Sequence, residues 1–476
     1  MNIMFVGSEA TPFVKTGGLA DVLGSLPNTI AASSHQVSLV LPAHRAIKRA
    51  FKGELEFKKS FYIPIHTKQE YVGILYLRKN NMDIYLIDNE YYFGYREHLY
   101  GDYDDGERYG FFNQAVLAMF NHLKLYPDVL HLNDWQTGLI PYYLKTSYDS
   151  DVLYQRIRTI FTIHNIAYQG VFSKALLPYL NVPDDPNLMF DDQVNFMKTA
   201  LMMADKITTV SKTYAEELMY DYYGFGLSGI IKSRYKDLIG IMNGLDNDDF
   251  NPKTDEAIEK NFSLYNYLQG KKANKQALQN IFHLKPSNKP MIGMVSRLTE
   301  AKGFPIVQAM IESHLKANRV QFVLLGSGDG DVEAYFNHLK QTYPDNVGVY
   351  FGYSDGLARQ IYAGSDFFLM PSRFEPCGLA QLISMRYGTV PIVRETGGLK
   401  DSVLPYNKYT HDGTGFSFYS YNAEALNTVF TEALALYKNK PVFKTMIKRI
   451  MKEDFSWEKS AKQYINIYKI LAEDRG

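Results

Sequence analysis

The chain contains one cysteine in 476 residues, Cys377. A single thiol excludes an internal disulfide and any cysteine-rich metal site, and it fits a reducing cytoplasm, the expected location. No histidine lies near it in sequence, so it reads as a small packed residue rather than a nucleophile. The chain also lacks a charge excess. Lys plus Arg and Asp plus Glu are 51 each, so no overall field draws in nucleic acid or an anionic membrane. Any phosphate recognition must be local. No apolar run approaches the length that crosses a bilayer. The first apolar run has no basic segment before it and is interrupted at Glu9, so no signal peptide is read there.

Several chemical signatures are missing as well. Neither a Walker A loop nor a G-x-S-x-G nucleophile elbow occurs. The eleven histidines show no metal-ligand spacing. Gly326-Ser-Gly328-Asp-Gly330 departs from the G-x-G-x-x-G dinucleotide fingerprint. Asp-x-Asp pairs at Asp102/Asp104, Asp149/Asp151, Asp246/Asp248 and Asp329/Asp331 sit in turn-like stretches, where aspartate is common for local reasons. No metal is assigned.

What is present is a globular composition, 46% hydrophobic and 21% charged, over a length that calls for two or three domains. Tyrosine is abundant, at 37 residues. Its flat face and hydroxyl suit sugar binding, although packing accounts for most such rings. Thr16-Gly17-Gly18-Leu19-Ala20-Asp21 reappears as Thr396-Gly397-Gly398-Leu399-Lys400-Asp401. Each pair of glycines follows a strand-like run and opens a helix-like one. Bare backbone there can approach an anion, and the helix dipole favours it. Two such cradles suggest a ligand clasped between two similar domains.

The pattern of elements agrees. Strands at Asn2–Gly7, Gln36–Leu41, Val129–Leu132, Thr159–His164, Lys206–Val210 and Gly240–Asn243 alternate with helical stretches including Gly17–Ala32, Glu107–Leu123 and Phe190–Ala204. Residues 61–88 break the rhythm with three β-rich runs, read as a hairpin insertion. Residues 246–290 are polar and read as a connection, with a helix at Lys272–Phe282. Strands then return at Met291–Val295, Val320–Leu325, Val347–Phe351, Asp366–Met370 and Val390–Val393. The expectation is α/β, with two doubly wound parallel sheets. A final helix, Ser456–Ala472, begins with a serine N-cap and Glu458, and spacing alone does not say which domain it covers.

In open α/β sheets, ligands bind beyond the carboxyl ends of strands. Glu9, Lys15, Asp134, Trp135, His164, Asn165, Asn243, Arg297, Lys302, Tyr353 and Glu375 all fall there. Arg297 and Lys302 offer a fixed fork and a point charge, suited to a departing diphosphate, though an isolated pair of this kind is more often a surface pair. Glu375 can accept from sugar hydroxyls or face positive charge at an anomeric carbon; alternatively it caps the next helix. His164 is placed for substrate contact, yet a lone histidine is more often structural. Trp135, beside Asp134 and Gln136, is either a plate for a glucose ring or a core residue.

Lys15-Thr-Gly-Gly-Leu-Ala-Asp-Val22, His164-Asn165, Asn243-Gly-Leu-Asp246, Ser296-Arg-Leu-Thr299 with Lys302-Gly303, Glu375-Pro-Cys-Gly-Leu379 and Thr396-Gly-Gly-Leu399 together resemble bacterial glycogen synthase and plant starch synthase, glycosyltransferase family 5. The motifs stand in family order over essentially the whole chain. The resemblance implies the GT-B fold, two Rossmann-like domains facing across a deep cleft. It places an acceptor-side domain at 1–245, a nucleotide-sugar domain at 246–455, and residues 456–476 as a helix crossing back to the first domain. It implies retaining transfer of glucose from ADP-glucose to the non-reducing end of an α-1,4-glucan (glycogen or maltooligosaccharides), releasing ADP, with no metal and no pyridoxal phosphate. It also implies no nucleic acid or membrane partner.

Carried over residue by residue, the resemblance makes Arg297 and Lys302 the diphosphate ligands, puts His164 beside the anomeric carbon and has Glu375 hold the transferred glucose. Lys15, Gly18, Asp21, Asn165, Asn243, Tyr353, Cys377, Gly378, Leu379, Thr396, Gly397 and Gly398 surround the donor, with Tyr353 near the base. Glu9, Asp134, Trp135 and Gln136 line the acceptor side. Related transferases often carry a second glutamate eight positions after the first; here that position is Ile383. Front-face attack, with the leaving phosphate taking the acceptor's proton, is therefore favoured over a covalent intermediate. The rival readings are a glucan phosphorylase, a nicotinamide-dependent dehydrogenase and a catalytically silent glucan binder. The dehydrogenase lacks its fingerprint, and the silent binder has no use for donor-side cations. ADP-glucose against UDP-glucose stays open at this level.

Overall fold

The computed structural model describes residues 1–473, so residues 474–476 of the expected C-terminal segment lie outside the described residues. The chain divides into two compact units. One comprises Met1–Gly244 and the residues from Trp457 onward; the other is Leu245–Ser456.

The first unit holds strands β1 (Asn2–Val6), β2 (Gln36–Pro42), β3 (Glu56–Ile65), β4 (Lys68–Lys79), β5 (Met82–Asp88), β6 (Val129–Asn133), β7 (Arg158–Ile163), β8 (Val171–Phe172), β9 (Met189–Phe190), β10 (Gln193–Asn195), β11 (Lys206–Thr209) and β12 (Leu238–Gly240). Nine of them form one sheet in the order β12-β11-β7-β6-β1-β2-β5-β4-β3. The run from β12 to β5 is parallel, and its strands β1 and β6 are buried along nearly their whole length, as apolar strands covered on both faces must be. The β-rich stretch near residues 61–88 is therefore not a separate insertion. β5 lies parallel to β2 with Ser38 opposite Asp83, and β4 and β3 continue the same sheet antiparallel. The helix expected over Phe190–Ala204 starts only at Phe196, because the residues before it form a small sheet, β8-β10-β9.

The C-terminal helix Trp457–Glu473 packs into this first unit. Trp457, Ala461, Tyr464, Ile467, Tyr468 and Leu471 enter a core shared with Leu19, Leu23 and Leu26 of the helix Gly18–Ala31. Inside that core, His131 of β6 bonds to Tyr468 Oη through Nδ1 (2.6 Å) and to Thr162 Oγ1 through Nε2 (2.6 Å). Burial holds this imidazole far below its usual pKa, so it is neutral and needs one partner to donate and one to accept. Tyr468→Phe is expected to leave Nδ1 unpaired in the core and lower stability by about 1–3 kcal/mol, read by urea denaturation.

The second unit holds β13 (Met291–Val295), β14 (Gln321–Gly326), β15 (Val347–Phe351), β16 (Phe367–Met370), β17 (Val390–Arg394) and β18 (Phe416–Phe418) in a six-stranded parallel sheet ordered β15-β14-β13-β16-β17-β18. Residues 246–290 belong to this unit rather than connecting to it. Its helix runs over Tyr267–Ile281, and Ile258, Phe262, Tyr267 and Leu278 are buried in its cores. Arg359 donates to Asp249 O (2.6 Å) and to Asp249 Oδ1 (2.7 Å), fastening the segment to the helix Asp355–Gly364.

Both strand orders reverse direction beside the first strand of their unit. In the first unit the switch lies between β1 and β6, and in the second between β13 and β16. Loops leaving adjacent strands in opposite senses open a crevice at the carboxyl edge, where ligands bind. The topology thus selects four chain segments: those after Val6, Asn133, Val295 and Met370.

Candidate active site

In the second unit, the segments after β13 and β16 enclose a cavity of about 220 Å³ lined by Ser296, Arg297, Lys302, Ser372, Glu375, Gly378 and Leu379, among others. Lys302 reaches it because Gly303 turns the chain at φ +86° and packs against the end of β16. A Cβ at Gly303 would lie 2.2 Å from Pro371 O, so no larger residue allows this approach. Lys302 Nζ donates to Glu375 Oε2 at 2.6 Å, and Ser372 Oγ donates to the same oxygen at 3.1 Å. The carboxylate of Glu375 is nearly buried and turned into the cavity. It does not cap a helix, since the next one begins only at Ala380. Arg297 is exposed on the cavity wall, and its guanidinium has no side-chain partner among the described residues.

The two glycine turns prove unequal despite their shared sequence. Around Gly18 a Cβ would meet nothing within 4 Å, so the first turn is open to a ligand. Thr396, Gly397 and Gly398 are buried, and Gly398 N–H donates to Pro376 O at 3.1 Å. A Cβ at Gly397 would lie 2.1 Å from Glu375 O, and one at Gly398 would lie 2.1 Å from Cys377 O. This second turn therefore braces the Glu375–Cys377 segment, a task the first turn does not have, so the two glycine turns differ in their surroundings. Cys377 is buried, as a packed residue should be, and Gln381 Nε2 ties down its carbonyl at 3.1 Å and that of Gly378 at 3.0 Å. Tyr353 is 82% exposed and stands outside the residues lining the cavity. Ile383, in the position where a second carboxylate was sought, is buried in the core of the unit.

In the first unit, Glu9 follows β1 and Asp134 follows β6. Glu9 is buried, and its Oε2 accepts from Thr16 Oγ1 at 2.7 Å and from Thr16 N–H, so it holds the first glycine turn in place. Lys15 pairs with Asp21 at 2.7 Å across that turn. Asp134 sits at φ +56°, which swings its Oδ1 onto the N–H groups of His164 (2.8 Å) and Asn165 (3.5 Å) at the end of β7. His164 Nε2 in turn lies 3.0 Å from Asn133 Oδ1. Burial depresses its pKa to about 3, so the ring is neutral.

One acceptor-side expectation changes. The Trp135 ring is 8% exposed and packs on Tyr109 at 5.1 Å, Phe172 at 5.7 Å and Phe196 at 6.0 Å, so it is a core residue and not a sugar plate. Gln136 is buried with its Oε1 unpaired, and Asn243 is buried with its Oδ1 unpaired, among the described residues. Asn165 is half-buried and uses its Oδ1 on Ala167 N–H at 3.1 Å. Sequence reading missed Asn133, Ser372 and Gln381, which act through neighbours. Only the position of Asn133 and Ser372 at strand ends could have drawn attention to them.

The aspartate pairs serve local structure. Asp102 and Asp104 bind Arg108 (2.9 Å) and Arg96 (2.5 Å), Asp151 and Asp329 cap helices, and Asp246 accepts from Asp248 N–H at 3.0 Å. Among the described residues no acidic, histidine or cysteine group has the arrangement of a metal site.

Burial pushes the Asp134 carboxyl up to about 7, partly offset by its two N–H donors, and Glu9 adds repulsion. Between pH ~4 and ~7 the folded carboxyl keeps a proton that the unfolded chain has lost, so stability falls as pH rises through this window. Asp134→Asn retains an acceptor but does not titrate. Relative to the parent it is expected to gain on the order of 1–3 kcal/mol between pH ~4 and ~8, measured by chemical denaturation at both.

Comparison with known proteins follows the same division. The starch synthase catalytic domain family matches residues 2–233, and the glycosyl transferases group 1 family matches residues 276–449. The chain is 45% identical to a glycogen synthase of Exiguobacterium sibiricum over 481 residues, 99% of each chain. It is 45% identical to a glycogen synthase of Clostridium botulinum over 479 residues, 99% of this chain and 100% of that one. Its structure is similar to the catalytic domain of starch synthase IV from Arabidopsis thaliana, solved with ADP and acarbose, at a TM-score of 0.89, 31% identity and 99% coverage of both chains.

Proposed function

The chain belongs to the glycogen synthase and starch synthase family, and from that premise we propose that it transfers glucose from ADP-glucose to the non-reducing end of an α-1,4-glucan with retention, releasing ADP. It is a hexosyltransferase of two Rossmann-like α/β domains. The observation that carries the proposal is the cavity at the β13/β16 switch point, where Arg297, Lys302 and Glu375 meet.

As the glycosidic bond breaks, negative charge gathers on the diphosphate. Arg297, without a side-chain partner among the described residues, supplies a planar fork to it, and Lys302 supplies a point charge. Glu375 anchors the glucose through its hydroxyls, with Ser372 and Lys302 holding the carboxylate in position. The leaving phosphate oxygen takes the proton of the incoming glucan hydroxyl, on the same face from which ADP departs. Ile383 leaves no second carboxylate on this segment for a covalent intermediate. Charge neutralisation therefore falls to Arg297 and Lys302, and we assign neither metal nor pyridoxal phosphate to the reaction. Within the first unit, the open turn at Gly18 and the Lys15–Asp21 pair are the groups offered to a ligand; within the second, Tyr353 is the exposed ring for stacking near the base. A cytoplasmic location, where sugar nucleotides are available, fits the single reduced thiol. No helix among the described residues is long and apolar enough to cross a membrane.

The deciding experiment incubates the protein with glycogen and either ADP-glucose or UDP-glucose, following nucleotide release and chain growth. ADP release with matching chain growth, at higher kcat/KM than with UDP-glucose, is expected. Release of neither nucleotide, or release without chain growth, would overturn the proposal.

A further inference from the structure

Asn133 ends β6, and the contacts of its side-chain amide establish which end is nitrogen. One amide terminus lies 3.1 Å from Val6 O and 3.1 Å from His131 O. Backbone carbonyls only accept, so the NH₂ group must face them and Oδ1 must face away. On that other side Oδ1 lies 3.0 Å from His164 Nε2. An amide oxygen also only accepts, so Nε2 must carry the proton. The burial that keeps this imidazole neutral then leaves Nδ1 as a lone pair, with no partner among the described residues. The backbone is fixed as well, since His164 N–H donates to Asp134 Oδ1 at 2.8 Å.

We propose that Asn133 is a positioning residue that locks His164 in the neutral Nε2–H tautomer, so that the ring meets the substrate through Nδ1 as an acceptor and not as a proton donor. The proposal rests on the reading that His164 lies beside the transferred glucose. It removes His164 as a general acid toward the departing nucleotide, which leaves proton transfer to the phosphate itself. It also gives the polar end of β6 a purpose: Val6 O and His131 O serve as the reference points that orient the amide.

The test is ¹⁵N-histidine spectroscopy of the full-length protein, with the His164 resonances assigned by their loss in His164→Gln. The parent is expected to show the Nε2–H pattern, unchanged between about pH 6 and 9. Asn133→Leu, which removes the acceptor, is expected to give a mixed tautomer signal. Its kcat should fall about tenfold, near the worth of one hydrogen bond, with KM for ADP-glucose within about threefold. An Nδ1–H pattern or an imidazolium in the parent overturns the lock, whether or not Asn133→Leu folds. Unchanged tautomer and turnover in a folded Asn133→Leu overturns it too. Parent-like turnover in His164→Gln overturns instead the reading of His164 beside the glucose, and the spectrum of the parent separates the two failures.

Discussion

Arg297→Ala is expected to lower kcat/KM for ADP-glucose by about 10²–10³-fold while leaving the thermal unfolding of the protein nearly unchanged. The contrast follows from its surroundings. Its side chain lies exposed on the cavity wall with no partner among the described residues, so truncation breaks no folded-state contact and stability should move by less than about 0.5 kcal/mol. What is lost is a fork aimed at charge that exists only when the glycosidic bond is breaking. Arg297→Lys keeps the charge but not the paired donors, and it should fall between the two. Lys302→Ala should lose comparable activity but also about 1–3 kcal/mol of stability, because it strands the nearly buried Glu375 carboxylate. Steady-state kinetics with calorimetry on all three variants distinguishes these outcomes. Wild-type turnover in Arg297→Ala and Lys302→Ala together would end the phosphate role.

Glu375→Gln is the second large effect expected, a loss of about 10²–10³-fold in kcat with glucan binding retained. Glutamine matches the volume and keeps an oxygen for Ser372 Oγ, but it removes the charge that Lys302 faces at 2.6 Å. Two roles are consistent with that geometry. Glu375 either holds the sugar itself or only holds Lys302 in place. The double variant Lys302→Ala/Glu375→Gln separates them. If Glu375 acts only through Lys302, the double variant matches Lys302→Ala alone; if it touches the sugar, the double variant is slower still. The expected result is the slower one, measured as kcat at saturating donor and acceptor.

Much of the fold could be read from residue patterns. β1, β13 and β16 are covered on both faces, so each is a short unbroken apolar run, and such runs separated by helical stretches announce a parallel sheet. The errors fell where partner choice is distant. The run Asp83–Ile87 looks like any hairpin strand, and only its pairing with β2, more than forty residues earlier, places it in the main sheet. Residues 246–290 are polar because much of their surface is exposed, yet Ile258 and Phe262 anchor them in the core. Trp135 occupies a strand end, where function concentrates, but Phe172 and Phe196 arrive from elsewhere to bury it.

The sequence by itself determined the two doubly wound units, the strand-end positions of Arg297, Lys302, Glu375 and His164, and the absence of a second carboxylate at Ile383, because these depend on local periodicity and on the identity of single residues. Only the tertiary structure decided that twin glycine motifs do different work, that Glu375 joins Lys302 and Ser372 rather than capping a helix, and that Asn133 lies against His164. Those outcomes depend on which atoms of remote segments come within 3 Å of one another, and hydrogen-bond partnership is a property of packed space that residue order does not carry.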